Sequence, residues 1–286
     1  MTKVLFIAGV PHSGSTIVSQ ILDGVDGFVA VGESYYLWDA YEQRFPCGCG
    51  QPLRECEWWR AIFASAFPHG DAGVAALKPD RYYMALQELP ALALRKRAVP
   101  PLYQEALERT LHAVAATSGA RVIVEASKSP TYGQILDKTR GVDLYVVHLV
   151  RSPQAIASSW SRFDGEAGRP VRHAMLWNAW NATIELLWAR RRGRYLRVRY
   201  EDFAAQPQRT IAAIAEFGGE KPMSLPFASE HTARLAVAHT VAGNPVRFRT
   251  GDVPIRVDER WREEYPAHDR RTLEALTWPL RARYGY

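Results

Sequence analysis

Gly9 and Gly14 stand five residues apart in V-L-F-I-A-G-V-P-H-S-G-S-T-I-V (4–18), and Ser15-Thr16 follow at once. That spacing is the spacing of a phosphate-binding loop. An apolar run before it, Val4 to Ala8, and helical spacing after it, at Ile17, Val18, Ile21 and Leu22, make a strand, a loop and a helix in order. In such a unit the loop N–H groups and the helix N-terminus form a cradle for an anion. The lysine that kinases and GTPases direct at β- and γ-phosphates is replaced by Ser15. The loop from Pro11 through His12, Ser13, Gly14, Ser15 and Thr16 therefore reads as phosphate-binding without being a standard triphosphatase loop. A second cluster could do different chemistry. Cys47, Cys49 and Cys56 fall in P-C-G-C-G-Q-P-L-R-E-C-E-W-W, the only cysteines of the chain. They could be reduced thiols packed beside Trp58 and Trp59, a disulfide and a thiol, or three zinc ligands with a distant histidine such as His69 as the fourth.

The elements that must hold these groups alternate in type. Phe28 to Val31 reads as a short strand ending at Gly32-Glu33-Ser34. Arg121 to Glu125, Asp143 to Val150 and Tyr195 to Tyr200 read as further strands. Helices are expected from about Thr131, over Gln154 to Arg162, from about Val171 to Arg191, and over Pro207 to Phe217. Strands alternating with helices predict an α/β fold, a central parallel sheet flanked by helices. Ligands bind at the carboxyl ends of the strands in such sheets, which is where Gly9–Thr16, Glu33, Lys128 and Arg151 fall. The stretch from about 57 to 118 is Ala- and Leu-rich, is broken at Pro68, Pro79 and Pro100-Pro101, and reads as a helical insertion. No repeat or low-complexity linker divides the chain, so one domain over 1–286 is expected.

Composition narrows the class. The chain has 286 residues, 47% of them hydrophobic, enough for a substantial core. Lys and Arg exceed Asp and Glu by 6, which suits a polyanionic ligand, yet they form no long basic tail of the kind that binds nucleic acid. No run reaches the roughly 18 apolar residues of a membrane span, and the N-terminal apolar run is too short for a signal core. A cytoplasmic protein is expected. His148 lies mid-strand and reads as a core residue, and His239 as a loop-ordering one.

Four features together resemble the sulfotransferases that use 3′-phosphoadenosine-5′-phosphosulfate (PAPS). They are the glycine loop without lysine, the strand-R-S-P-helix unit with Arg151 and Ser159, the strand ending E-A-S-K-S-P (125–130), and H-T-V-A-G-N-P-V-R-F-R-T-G (239–251). Y-E-D-F (200–203) with Gln206-Pro207, and the cysteine segment, are similar to that family too. The resemblance covers most of the chain and implies a P-loop-like sulfotransferase architecture. It implies that the first loop holds the 5′-phosphosulfate, that Arg151 and Ser159 hold the 3′-phosphate, and that Arg247 or Arg249 completes that pocket. Arginine suits the task because its fork matches a phosphate, as lysine would not. His12 stands where many members carry Lys or Arg, so it can offer a hydrogen bond or, protonated, a charge. Lys128 resembles the family's second lysine near the sulfuryl group. Glu33 resembles the carboxylate that takes the acceptor's proton, with Glu125 as its competitor.

The expected reaction is in-line transfer of the sulfuryl group to a hydroxyl or amine of a small-molecule, carbohydrate or tyrosine-type acceptor, with PAPS as co-substrate and no metal required. A P-loop kinase of small molecules or nucleotides, with Lys128 standing in for the missing lysine, is the alternative. A non-catalytic nucleotide or nucleic-acid binder is a third. The acceptor and the oligomeric state are not legible in the sequence.

Overall fold

In the computed structural model, residues 1–68, 99–163, 165 and 168–286 are described. Five parallel strands form the central sheet: β1 (Thr2–Ala8), β2 (Phe28–Gly32), β3 (Val122–Lys128), β4 (Val142–Val150) and β5 (Tyr195–Arg199), in the order β2-β3-β1-β4-β5. The continuous apolar run of β1 has a direct cause: it is the middle strand and is covered on both faces. Strand periodicity splits its side chains. Val4, Phe6 and Ala8 join one core, with Tyr132, Ile135 and Trp188, while Leu5 and Ile7 join the other, with Val18, Ile21, Ile211 and Ile214.

Helices α1 (Ser15–Asp23), α5 (Pro130–Lys138), α6 (Pro153–Phe163) and α7 (Pro170–Trp188) follow strands or each other as the periodicity predicts, within a few residues at their ends. Each of the last three opens with proline at its first turn, where the missing N–H costs nothing. Ser129 adds a side-chain cap, accepting from the Tyr132 N–H at 3.4 Å. Helix α8 (Tyr200–Ala205) leaves β5, and α9 (Pro207–Phe217) covers one face of the sheet.

Among the described residues, the helix-rich block contains α3 (Glu57–Ala66) and α4 (Pro101–Ser118), after the short α2 (Leu37–Gln43). Ile62, Phe63, Tyr103 and Leu107 share the core that also holds Phe6. Residues 69–98, including Pro79 and His69, lie outside the described residues.

The sequence reading missed the C-terminal part. A three-stranded antiparallel sheet, β6 (Phe227–Ser229), β7 (Thr232–Leu235) and β8 (Gly251–Pro254), packs Ala233, Leu235 and Val253 onto the core beneath α1. Between β7 and β8 the chain runs beside β2, where Val241 bridges Gly32. Helices α10 (Trp261–Glu264) and α11 (Ala267–Arg283) finish the chain, and α11 packs along α7. No helix among the described residues is long and apolar enough to cross a membrane.

Candidate active site

A cavity of about 1200 Å³ opens at the carboxyl ends of the sheet. The β1–α1 loop contributes Pro11, His12 and Gly14, and the start of α1 contributes Ser15, Thr16 and Ile17. The first N–H groups of a helix have no carbonyl one turn earlier to bond, so this wall offers donors to an anion. Gly14 is required twice over. Its φ is 95°, and a Cβ there would stand 2.4 Å from the Tyr200 ring. Ser13 does not join this wall. It is fully buried, and its N–H closes the loop turn on the Val10 carbonyl at 3.1 Å.

Beside the loop, Arg151 extends from the end of β4 and is largely buried. Its guanidinium donates to the His12 carbonyl at 2.9 Å and to Asp258 at 3.2 Å, and lies 4.7 Å from the Tyr200 ring centre. The indole of Trp177 donates to the Arg151 carbonyl at 3.0 Å and fixes the turn. Ser159, on α6, shares a hydrogen bond of 2.9 Å with His12 Nδ1, and the His12 ring stacks on Phe163. His12 thus links the glycine loop to both Arg151 and Ser159. Asp258 also meets Arg260 at 2.8 Å and Arg162 at 3.7 Å. The hydrogen bond from Arg260, helped by Arg151, holds its carboxyl down at about 2. Three guanidinium groups around one carboxylate mark this corner as built for negative charge.

Across the cavity, Glu33 at the end of β2 and Lys128 at the end of β3 form an ion pair of 2.5 Å, both side chains almost covered. Lys128 has φ 67° and also donates to the Ala126 carbonyl at 3.2 Å. Tyr35, Tyr36 and Trp180 make the aromatic wall around this pair. Trp177 and Trp180 share a helix face yet do different work, the first in the core and the second in the wall.

Glu125, the competing carboxylate, does not reach the cavity. It is fully buried and accepts from the Ser34 N–H at 3.0 Å, the Ser34 hydroxyl at 3.1 Å, and the Ser127 N–H and hydroxyl. It ties the segment that follows Glu33 to the end of β3. Burial pushes its carboxyl up to about 7 against the hydrogen bonds that lower it. His148 is likewise a core residue, bonded to Tyr195 and Asn181, with its pKa lowered by burial to about 4.

Of the two C-terminal arginines, Arg249 lines the cavity and Arg247 does not. The Arg247 guanidinium is buried and donates to the Thr240 carbonyl at 2.9 Å and the Pro46 carbonyl at 2.8 Å. Alternation along a short turn sends only one of the pair outward. Sequence reasoning missed Tyr200, Asp258 and Arg260 in the cavity wall. Tyr200 carried a signal, since it opens the Y-E-D-F segment at the end of a strand. Asp258 and Arg260 carried none, because they come from the chain after β8.

A family model described as "Sulfotransferase family" matches residues 5–222. The structure is similar to a sulfotransferase domain from the curacin biosynthetic pathway, with a TM-score of 0.58 and 20% identity, covering 100% of this chain and 98% of that one. It is also similar to a sulfotransferase domain from the Synechococcus PCC 7002 olefin synthase, with a TM-score of 0.56 and 20% identity, covering 98% of this chain and 94% of that one. At that identity the likeness is one of fold. No protein of curated function matches the sequence.

Two measurements check this geometry. Gly14→Ala is expected to cost about 1–2 kcal/mol for the left-handed backbone and a further 1–3 kcal/mol, roughly, for the overlap with Tyr200. In a Tyr200→Ala background the second part disappears, so urea unfolding of the four proteins should show a smaller Gly14→Ala penalty there. Equal penalties in both backgrounds refute the contact. For Glu125 the folded pKa lies above the ordinary 4.5, so the fold favours the protonated form. Its contribution to stability is full below about pH 4.5 and is lost as pH rises through about 7. The unfolding free energy of the wild type minus that of Glu125→Gln should therefore fall across this window, by at most about 3 kcal/mol. A difference that stays flat with pH contradicts the assignment.

Proposed function

The chain belongs to the sulfotransferase family, and from that premise we propose that it transfers the sulfuryl group of PAPS to a hydroxyl or amine of a small-molecule or carbohydrate acceptor, releasing 3′,5′-adenosine bisphosphate. The observation that carries the reading is the convergence on one cavity of an anion-binding helix start, the buried Arg151, and the Glu33–Lys128 pair.

The residues present fit a bisphosphorylated nucleotide. The Arg151 Nε is buried without a hydrogen-bond partner among the described residues, so the guanidinium has capacity beyond the His12 carbonyl and Asp258. The Ser15 and Thr16 N–H groups and hydroxyls suit a phosphate at the other end of the loop. PAPS supplies an activated sulfuryl group on a phosphate leaving group.

The protein's part is positioning and charge. Glu33 takes the proton from the acceptor's hydroxyl or amine, which makes the attacking atom a better nucleophile. Lys128 holds the Glu33 carboxylate in place and offers its ammonium to the oxygens that gain charge in transfer. His12 stands between the two phosphate subsites and can donate to the oxygen that leaves. Tyr35, Tyr36 and Trp180 give the acceptor flat apolar faces next to Glu33, which suits a sugar ring or a phenol. The kinase alternative would ask Lys128, at the end of β3, to replace the lysine that the glycine loop lacks at Ser15, and it requires ATP to bind with Mg2+.

Calorimetric titration with 3′,5′-adenosine bisphosphate, and with ATP plus Mg2+ in parallel, tests the donor site. Tight binding of the bisphosphate and weak binding of ATP are expected, with Arg151→Ala weakening the former about 10- to 100-fold, the worth of about 1.5–3 kcal/mol of charged hydrogen bonding. Glu33→Gln should leave that affinity within a few-fold and lower kcat by roughly 10²–10⁴ once an acceptor is found. Binding of ATP with Mg2+ and silence toward the bisphosphate would overturn the reading.

A further inference from the structure

Away from the cavity, the three cysteines meet a histidine 183 to 192 residues further along the chain. One ligand atom each from Cys47, Cys49, Cys56 and His239 lies within 4.8 Å of all the others. His239 Nδ1 is 3.2 Å from Cys56 Sγ and 3.8 Å from Cys47 Sγ. A tetrahedral zinc with bonds of about 2.3 Å to sulfur and about 2.0–2.1 Å to nitrogen separates such atoms by roughly 3.6 Å. The two distances bracket that value. Sulfur pairs on one zinc stand roughly 3.8 Å apart, so no gap within the 4.8 Å cluster needs to close by more than about 1.2 Å. We propose that Cys47, Cys49, Cys56 and His239 bind one structural Zn2+, which pins the cysteine loop to the C-terminal segment that borders Glu33.

The surroundings favour metal-bound thiolates over a chance meeting of thiols. All three cysteines are unbridged, and Cys47 and Cys56 are buried. Burial raises the Cys47 and Cys56 thiols, and against it backbone N–H groups donate to sulfur, that of Cys49 to Cys47 and that of Trp59 to Cys56. Such donors favour negative sulfur, which is costly to bury unless a cation balances it. Binding is balanced in charge. Zn2+ joins three thiols and a neutral imidazole, three protons leave, and the site carries one negative charge. The Arg247 guanidinium, on the Pro46 and Thr240 carbonyls that precede Cys47 and follow His239, supplies the opposite charge.

The backbone is shaped for this meeting. Cys47 N–H donates to the Gln51 carbonyl at 2.7 Å and Gly50 N–H to the Cys47 carbonyl at 2.8 Å, making a tight knuckle. Gly48 donates to the Thr240 carbonyl at 2.9 Å, and a Cβ on it would fall 2.3 Å from the Ala238 carbonyl oxygen. Only glycine allows the two segments to lie so close on either side of His239. Trp58 stacks on the His239 ring at 5.4 Å, and the Trp59 indole donates to the His239 carbonyl at 2.9 Å. These contacts orient the imidazole as outer partners of a ligand do.

The consequence reaches the active site through two residues. Glu33 N–H donates to the Val241 carbonyl at 2.7 Å, and Val241 N–H donates to the Val31 carbonyl at 2.8 Å. The metal therefore acts as a staple behind the segment that positions Glu33. The cysteines and His239 are positioning residues, and the metal takes no part in sulfuryl transfer.

Native mass spectrometry of the full chain, purified under reducing conditions without added metal, tests the proposal. One zinc per chain is expected, with the three thiols open to alkylation only after a chelator is added. Cys56→Ser and His239→Ala should each lower zinc content at least tenfold, while His239→Cys, which restores four ligands, and Glu33→Gln, which touches none, keep it near one. Hydrogen exchange in 46–56 and 238–249 should rise on chelation and return with zinc. A metal-free chain with three freely reactive thiols overturns the proposal, as does a chain two hydrogens lighter, which holds a disulfide. So does zinc that survives His239→Ala unchanged. The wild-type mass alone decides the matter if the variants do not fold.

Discussion

Burying the Arg151 guanidinium is the constraint on which the rest of the site depends. An unpaired buried cation costs several kcal/mol, roughly, even after relaxation, so the surrounding chain must be arranged to satisfy it. The His12 carbonyl is turned toward it by a left-handed backbone, Asp258 reaches in from beyond β8, and the Tyr200 ring lies across it. Tyr200 in turn leaves room for no side chain at Gly14. One residue at the end of β4 thereby sets the path of the glycine loop after β1, the first residue after β5, and the segment following the small antiparallel sheet. Glu201 completes the joint by accepting the Ser152 N–H at 3.0 Å and the Tyr286 hydroxyl at 2.5 Å.

Two carboxylates on neighbouring strands, Glu33 just past β2 and Glu125 inside β3, show how environment divides labour. Glu33 lines the cavity and pairs with Lys128. Glu125 sits behind it, surrounded by serine hydroxyls and N–H groups, with no ion pair among the described residues and its carboxyl raised by burial. The first faces the cavity and the second holds the segment that follows the first. Sequence alone left the choice open because both follow or end short apolar runs. Position along the strand decided it: Glu125 lies inside β3, three residues before Lys128 at its end, while Glu33 follows the last residue of β2.

The parallel sheet was legible because its strands are apolar enough to be covered on both faces and are separated by amphipathic helices with proline starts. The placement of the glycine loop, Glu33, Lys128 and Arg151 at one rim followed from strand polarity alone. What stayed hidden shares one physical feature, dependence on chain segments that carry no periodicity. Strands β6, β7 and β8 are three or four residues long, too short for an alternation to show. Arg247 and Arg249 are two apart on a 3-10 turn, and nothing local tells which one faces inward. The cysteines announced a cluster, but their partner His239 lies across the whole sheet in sequence, reached only because Thr240 pairs with the Gly48 turn and Val241 with β2.

Backbone strain is distributed in the same pattern as the chemistry. Among the described residues, four that are not glycine have positive φ: His12, Arg44, Lys128 and Ala242. Arg44 ends α2, where a left-handed residue is an ordinary cap. The other three surround the cavity: two line it, and Ala242 precedes Gly243 beside Glu33. A left-handed residue with a side chain costs about 1–2 kcal/mol, and glycine would remove the cost at each. At His12 and Lys128 glycine would also remove the imidazole that joins the glycine loop to Ser159 and the ammonium that meets Glu33. The chain therefore retains side chains where relaxed geometry would favour their loss, and the parallel core, buried on both faces of β1, is what holds those positions against the strain.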